Sequence, residues 1–250
     1  MYQQGAFGIR AKRGEKVFDK FFANNRASIS LGYIGIHETV CHLMKIDKLL
    51  HNKDAHDLAV SIVKFLKDKT EQWKTLENMG YSLYSTPSEG LCDRLLRLDR
   101  QKFGVVKNVT DKDFYTNSYH LDVRENATPF EKIDFEAPFH YIATGGFISY
   151  VEFDTNIQKN LDGLEAVWDY AMDKMGYFGT NTQSNKCYSC NNDGEFITEG
   201  DLFKCPVCGN KDQSKMNVVL RICGYAFSAT DRKANHGKFE EIKSRVKHCK

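Results

Sequence analysis

The chain has 250 residues, 41% of them hydrophobic and 12% aromatic, a composition typical of a globular protein with a sizeable apolar core. Its formal net charge of +2 argues against binding nucleic acid over the whole surface. The apolar runs are far shorter than the roughly 20 residues of a membrane span, and the start of the chain lacks the apolar core of a secretory signal. We therefore expect a soluble, cytoplasmic protein with no membrane partner.

Up to about residue 180, the chain alternates between helical and strand-like patterns. Apolar residues at helical spacing predict helices in residues 39–51, 55–69, 87–103 and 158–176. Strands are predicted in residues 80–86, in 139–153 on both sides of Gly145 and Gly146, and in 177–182. This alternation predicts a mainly parallel sheet with helices on its faces, either open or closed into a barrel.

The pattern changes after Thr182, where a polar stretch rich in Gly, Asn and Asp begins. Such a composition is typical of a linker and a small module rather than of a continuing core. We therefore predict three parts, namely an α/β body in residues 1–182, a small module in 183–213 and a C-terminal tail in 214–250.

Eight cysteines are present, and four of them form two C-x-x-C pairs separated by fourteen residues: Cys187 and Cys190, then Cys205 and Cys208. The other four are isolated: Cys41, Cys92, Cys223 and Cys249. Paired and isolated thiols together favour a reducing compartment and a bound metal over a disulfide framework.

The spacing of the two cysteine pairs predicts a zinc ribbon. Two residues between cysteines allow both thiolates to reach one ion, and two such pairs supply the four sulfur ligands of structural Zn²⁺. Gly194 and Gly209 follow the pairs, where a turn requires positive φ. A closed four-thiolate site is expected to be structural. A redox dithiol and a nucleic-acid-binding ribbon are the alternatives, and the few basic residues of the module disfavour the second.

The stretch STPSEGL predicts an anion site at the start of a helix. After a strand, Thr86, Pro87, Ser88, Glu89 and Gly90 would present hydroxyls, free backbone N–H groups and the positive end of a helix dipole. The alternative is an ordinary helix cap, with Ser88 or Thr86 as the cap and Pro87 in the first turn. The two interpretations are compatible.

Other candidates carry less information. His37, Glu38 and His120 have no second ligand at helical spacing, so we interpret the histidines as hydrogen-bonded core residues. Gly145 and Gly146 are candidates for a close backbone approach to substrate or to the C-terminal segment. Taken alone, Cys223-Gly224-Tyr225 would indicate only a packing glycine.

Several stretches together change that interpretation: NNRASISLGYIGIHETV, GYSLYSTPSEGLCDRL, YTNSYHLDV, PFEKIDFEAPFHYIATGGFISYVE, the two cysteine pairs, and RICGYAFSATDRKANHGKFEEIKSRVKH. In this order they resemble the C-terminal part of anaerobic (class III) ribonucleoside-triphosphate reductases, especially those of T-even phages. The resemblance covers nearly the whole chain. It implies that residues 1–182 form part of a ten-stranded α/β barrel, followed by a small zinc ribbon and a C-terminal glycyl-radical loop.

The resemblance assigns the site residues as well. Gly224 would be the radical glycine, because a carbon without Cβ can flatten and be approached closely. Neighbouring Cys223 receives no catalytic role. Ribonucleotide reductases of other classes hold substrate phosphates with a similar run, so residues 86–90 would form part of a phosphate pocket.

The implied enzyme reduces ribonucleoside triphosphates to deoxyribonucleotides, with formate as the expected reductant. A separate iron–sulfur, S-adenosylmethionine-dependent activase would install the radical, and the complete enzyme is expected to be a homodimer. The required thiyl cysteine has no counterpart among the residues before Ser28, and neither Cys41 nor Cys92 is in register with it. We therefore expect a fragment or a split gene that needs an N-terminal partner and is inactive alone. The alternatives are a non-catalytic spare radical subunit and a zinc-ribbon nucleic-acid-binding protein.

Overall fold

The computed structural model describes residues 1–6, 8–85, 88, 90–221, 226–228 and 234–248. The α-helices in these ranges are α1 (Val17–Phe21), α2 (Ile36–Met44), α3 (Lys53–Glu77), α4 (Leu91–Phe103), α5 (Pro129–His140), α6 (Leu161–Met172) and α7 (His236–Ser244). The strands are β1 (Ser28–Gly32), β2 (Gly80–Tyr84), β3 (Ser149–Glu152), β4 (Phe178–Asn181), β5 (Ser184–Cys187), β6 (Asp193–Gly194), β7 (Ile197–Glu199), β8 (Leu202–Lys204), β9 (Met216–Arg221) and β10 (Ala226–Ser228). Short 3-10 helices occupy Tyr2–Gln4, Thr155–Lys159 and Gln213–Lys215. Across the described ranges, every helix is too short or too polar to cross a bilayer.

The first four strands pair in parallel, as the alternation of helices and strands predicts. Strand β1 pairs with β2 from Ser28↔Gly80 to Gly32↔Tyr84, and β3 pairs with β4 along their whole length. A parallel bridge between Tyr84 and Gly146 connects the two pairs. Parallel strands need crossover connections, and helices α2 and α3 supply the one between β1 and β2. The fold is therefore mixed α/β.

Gly145 and Gly146 allow this connection between the strand pairs. A Cβ on Gly145 would lie 2.8 Å from the carbonyl oxygen of Leu83, and one on Gly146 would lie 2.7 Å from the Tyr84 ring. Gly146 also has a φ of +139°, which disfavours other residues. Within the described residues, these two glycines approach β2, and the predicted approach to substrate or to the C-terminal segment stays a prediction.

Helices α2, α3 and α5 pack around one apolar core with β2. Its fully buried members include Val40 and Val63 of the helices, Leu83 of β2 and the stacked rings of Tyr119 and Phe139. A second core lies between α5, β3 and α6, around Ile133, Val151 and Val167. Helices α2, α3, α5 and α6 therefore bury apolar faces against the parallel strands or against one another.

Several predicted boundaries differ from those of the structure, and two of these differences have local reasons. Helix α2 ends at Met44 because Lys45 takes a left-handed conformation (φ 60°), so the predicted helix in residues 39–51 is cut short. The predicted strand in 139–153 is confirmed only as β3, because α5 extends to His140 and turns follow up to Gly145. A capping box between Thr128 and Glu131, with proline in the first turn, starts α5.

After β4 the strands become antiparallel. One sheet has the order β10-β9-β5-β6, and β7 and β8 form a separate antiparallel pair. The core of this region includes Phe196, Phe203, Met216 and Phe239 of α7. The three-part division of the chain stays a prediction.

The C-terminal tail returns to the α/β body. Gly237 of α7 lies so close to α4 that a Cβ there would be 2.6 Å from Cβ of Asp93. Beyond α7, the N–H of Val246 donates to the carbonyl of Val123 (2.9 Å), and that of His248 donates to the carbonyl of Glu152 (2.9 Å). The last described residues therefore run alongside the carboxyl end of β3.

Candidate functional site

Four cysteine sulfurs converge between β5 and β8, namely those of Cys187, Cys190, Cys205 and Cys208, and all lie within 4.8 Å of one another. Two sulfur pairs, Cys187 with Cys208 and Cys190 with Cys205, are 3.7 Å apart. A tetrahedral zinc site with Zn–S bonds of about 2.3 Å has sulfur–sulfur edges of about 3.8 Å. The cluster therefore has the donors and the spacing of a four-thiolate metal site.

The backbone builds both halves of the cluster in the same way. The N–H of Cys187 donates to the carbonyl of Asn192, and the N–H of Cys205 donates to that of Asn210. The residue directly after each pair has positive φ, 58° at Asn191 and 73° at Gly209. Gly194 and Gly209 both have the predicted positive φ, but Gly194 (138°) lies in β6, and Asn191 makes the turn directly after the first pair.

The first cysteine of each pair has a lowered pKa. Although desolvation opposes the thiolate, the N–H groups of Ser189 and Cys190 outweigh it and lower the pKa of Cys187 to about 6. The N–H groups of Cys208 and Val207 lower the pKa of Cys205 in the same way. Because thiolates are the form that binds metal, these hydrogen bonds favour coordination.

Strand β9 connects the cysteine cluster with the segment that contains Gly224. Met216 at its start pairs with Cys187 of β5, and Arg221 at its end pairs with Ala226 of β10. Residues 222–225, including Cys223 and Gly224, lie between these strands in sequence and outside the described residues. A metal that holds β5 would therefore also hold the strand leading to Gly224.

The end of β9 is bound to the α/β body. The carbonyl of Arg221 accepts hydrogen bonds from Nη1 of Arg245 (2.8 Å) and Nδ2 of Asn181 (3.3 Å), and its N–H donates to Oδ1 of Asn181 (3.2 Å). The guanidinium of Arg221 lies over the ring of Tyr150, 4.5 Å from its centroid. Sequence patterns gave no indication of Asn181, Arg245 or Tyr150, because long-range hydrogen bonds have no local periodicity.

Of the predicted phosphate residues, Thr86, Pro87 and Glu89 lie outside the described residues. Ser88 is buried, and its N–H and hydroxyl both donate to Oδ1 of Asn117, at 3.0 and 2.9 Å. The N-cap of α4 is Gly90, so Ser88 is not the cap. The carbonyl of Gly90 accepts a hydrogen bond from Nδ2 of Asn235 in the C-terminal tail (3.1 Å).

A cavity of about 60 Å³ lies between Asn117 and the residues that hold Arg221. Its wall includes Asn117, Tyr150 and Glu152 from the body, and Arg245 and His248 from the tail. This volume is enough for about two water molecules and far too small for a nucleotide. This cavity alone could therefore form only part of a substrate pocket.

The two isolated histidines are core residues. His37 is buried between Asp122 and Glu125, and burial lowers its pKa. His120 lies with its Nε2 2.9 Å from the carbonyl oxygen of Ile148, and burial lowers its pKa as well. Beside His37, Glu38 pairs with Lys112 and accepts from the N–H of Thr116 (2.9 Å). This arrangement is a closed internal ion network rather than a metal site.

Neither described isolated thiol is set up for chemistry. Burial raises the pKa of Cys41 to about 12, so it is not ionised at neutral pH. Cys92 is buried in α4, where its sulfur lies 3.0 Å from the hydroxyl of Ser88.

Known proteins resemble this chain closely over part of their length. The pattern of the anaerobic ribonucleoside-triphosphate reductase family matches residues 1–248. The proteins with that name from Escherichia coli, Haemophilus influenzae and phage T4 are 50%, 49% and 46% identical over 248 residues. These alignments cover 99% of this chain but 35%, 35% and 39% of the relatives. The chain thus spans little more than a third of their length.

Solved structures agree with this assignment in fold. An anaerobic ribonucleotide reductase matches 90% of this chain and 35% of its own, with a TM-score of 0.66 and 18% identity. The Thermotoga maritima enzyme with glycerol in the active site matches 87% and 32%, with a TM-score of 0.59 and 18% identity. Family membership favours the reductase interpretation over a spare radical subunit or a nucleic-acid-binding ribbon. The chain belongs to the anaerobic ribonucleoside-triphosphate reductase family and corresponds to the C-terminal portion of its members.

Proposed function

We propose that this chain supplies the radical-storing part of an enzyme that reduces ribonucleoside triphosphates to deoxyribonucleotides. Family membership supports the reaction class. The observation that carries the assignment is β9, which runs from a four-cysteine cluster to Arg221, three residues before Gly224. A metal-braced strand ending beside a glycine suits the storage of a backbone radical, because both the position and the surroundings of that carbon must be fixed.

In this proposal the chain's own residues have distinct tasks. Gly224 holds the unpaired electron between turnovers and takes the thiol hydrogen of a cysteine on the N-terminal part. The resulting thiyl radical abstracts the ribose 3′ hydrogen and returns it when the product forms. Formate supplies the two electrons and leaves as carbon dioxide, while the 2′ hydroxyl leaves as water. Zn²⁺ would be held by Cys187, Cys190, Cys205 and Cys208, and a site of four thiolates would be structural rather than catalytic.

Substrate binding is assigned to residues 86–90 at the start of α4. The supporting observation is the position of these residues directly before α4, since the N–H and hydroxyl of Ser88 both donate to Asn117 and are not free for a phosphate. A helix N-terminus favours a triphosphate because its free N–H groups and dipole are positive. The rest of the ten-stranded barrel, the partner subunit of a homodimer and the docking surface for the activase belong to the proposal for the complete enzyme.

The test is turnover in the presence of the N-terminal portion of a homologous reductase. The chain is mixed under anaerobic conditions with the N-terminal portion of a homologous reductase, the activase, S-adenosylmethionine, a reductant, formate and CTP, and deoxynucleotide is measured by chromatography. We expect product from the mixture and none from the Gly224→Ala variant or from the chain alone. Equal product with Gly224→Ala would exclude Gly224 as the radical site.

A further inference from the structure

The backbone of Arg221 is held by side chains as well as by its sheet. Asn181 both donates to its carbonyl and accepts from its N–H, and Arg245 donates to the same carbonyl. Three side-chain hydrogen bonds therefore act on one residue at the end of β9. This residue directly precedes segment 222–225.

Glu152, at the end of β3, orients both of these side chains. Its Oε2 accepts from Nδ2 of Asn181 (2.7 Å), and its Oε1 lies 3.2 Å from Nη1 of Arg245. Glu152 is in turn fixed through its backbone, since its N–H donates to Nδ1 of His248 and its carbonyl accepts from the N–H of His248, both at 2.9 Å. The carboxylate of Glu152 thus orients the donors of Asn181 and Arg245 towards the carbonyl oxygen of Arg221.

The surroundings make this arrangement stiff. The side chains of Glu152 and Arg245 are only 14% and 10% exposed, so solvent screens their ion pair weakly. Arg245 is also bonded to the buried Glu241 (2.9 Å) in α7. Charge-assisted hydrogen bonds in a buried network are stronger and more directional than those on a surface. The network also joins three separate parts of the chain, namely β3, β4 and the tail after α7.

We propose that Glu152, Asn181 and Arg245, here called the Arg221 clamp, are positioning residues that set where the segment containing Gly224 leaves the sheet. This inference rests on the proposed function of Gly224. It adds the residues that position the segment containing that glycine. Radical transfer depends steeply on geometry, and a displacement of about 1 Å can reduce a rate a hundredfold. The clamp acts only through Arg221 and touches no reacting atom.

The test uses two single variants and their combination. Asn181→Asp keeps the acceptor for the N–H of Arg221 but loses both donated bonds and places two carboxylates together. Glu152→Gln removes the charge that pairs with Arg245. In the double variant, the amide introduced at position 152 can donate to the carboxylate introduced at position 181. Donor and acceptor are thus exchanged between these two positions. The matched control is Asp134→Asn, which removes an ion-paired carboxylate on the exposed surface of α5.

Two readouts are measured on the full chain. Hydrogen–deuterium exchange of peptides covering 216–228 reports the seating of the segment, and the anaerobic EPR signal after activation reports the radical. We expect each single variant to speed exchange in 216–228 about tenfold while α3 keeps its wild-type rate. The radical yield should fall in parallel, and both readouts should recover partly in the double variant.

The outcomes separate the clamp from the proposed function. Wild-type exchange rates in 216–228 for both single variants would overturn the clamp, and so would equal acceleration across the whole chain. A wild-type chain that gives no radical even with the N-terminal part supplied would overturn the radical role of Gly224, while the exchange data would still decide whether the clamp exists.

Discussion

The side-chain amide of Asn181 makes two hydrogen bonds to the backbone of Arg221, one to its carbonyl and one from its N–H. Asn181 is the last residue of β4 in the parallel part, and Arg221 is the last residue of β9 in the antiparallel sheet. A single buried amide therefore bridges the body and the strand that starts at the cysteine cluster. This bridge makes the two regions mechanically dependent on each other.

Asn181→Ala should lower the free energy of unfolding by about 1–3 kcal/mol, because the N–H of Arg221 loses its side-chain acceptor, and the carbonyl of Arg221 and the carboxylate of Glu152 each lose one of their donors. Urea unfolding followed by circular dichroism measures the change. Asn156→Ala, on the exposed 3-10 helix before α6, is the control and should change stability by less than about 0.5 kcal/mol. Equal effects of the two variants would contradict the bridging role of Asn181.

The cysteine cluster should bind one zinc ion per chain. Metal analysis of the purified chain by mass spectrometry should give one equivalent, and Cys205→Ser should lose most of it, because three thiolates hold zinc far less firmly than four. Chelation should unfold the region around Phe203, since zinc binding supplies on the order of 10 kcal/mol to comparable small modules. Cys41→Ala, which removes a thiol outside the cluster, should keep its zinc. Loss of zinc from both variants would contradict the assigned ligands.

Stability should fall as the pH drops from about 6.5 towards 4. Burial lowers the pKa of His140 to about 4 from 6.5, and Glu136 offsets this only in part. Above pH 6.5 the imidazole of His140 is neutral in both the folded and the unfolded chain, so its contribution to the free energy of unfolding does not change with pH there. Between pH 6.5 and about 4, His140 is protonated in the unfolded chain but not in the folded chain. Protonation therefore favours unfolding, and the contribution of His140 to the free energy of unfolding is lost.

His140→Gln should therefore flatten the dependence of unfolding free energy on pH between 6 and 4.5, by up to about 1.4 kcal/mol per pH unit. Urea titrations at pH 7, 6, 5 and 4.5 give the slopes. The slope is informative even if the variant is less stable throughout. His248, whose pKa burial also lowers to about 4, should leave a residual slope of the same sign. An unchanged slope in His140→Gln would exclude the imidazole as the group that titrates.

Gly145→Ala should destabilise the connection between the two parallel strand pairs. The added methyl would lie 2.8 Å from both the carbonyl oxygen of Leu83 and the hydroxyl of Ser82, so β2 must move. Overpacking of this kind typically costs about 1–3 kcal/mol. Thermal unfolding measures this loss of stability. The comparison for backbone effects is Gly104→Ala, because the added methyl there has no neighbour within 4 Å but the φ of +78° is strained. A smaller loss in Gly145→Ala than in Gly104→Ala would contradict the steric account.

Local patterns predicted those parts of the fold that depend on local spacing. Helices α3 and α6 and strands β2 and β4 follow from apolar periodicity, and the cysteine cluster follows from two C-x-x-C pairs. Helix α5 was missed because Pro138 and several buried polar groups interrupt its apolar pattern. The parallel pairing followed from the order of helices and strands.

The contacts around Arg221 could not be predicted in this way. Glu152, Asn181 and Arg245 are distant in sequence, and each taken alone resembles an ordinary surface polar residue. Only the folded chain shows that one carboxylate orients two donors towards one carbonyl. The role of Gly224 came from the family resemblance, since a single glycine carries almost no information of its own.

The measurement that tests the central claim most directly is anaerobic EPR spectroscopy of the chain after incubation with activase, S-adenosylmethionine and a reductant, with the N-terminal part supplied in a parallel sample. Our account predicts a doublet from a carbon-centred radical coupled to the one remaining hydrogen on Gly224. Deuterium at the glycine α position should collapse the doublet, and Gly224→Ala should abolish the signal. The same doublet in Gly224→Ala, or no signal from either wild-type sample, would contradict the account.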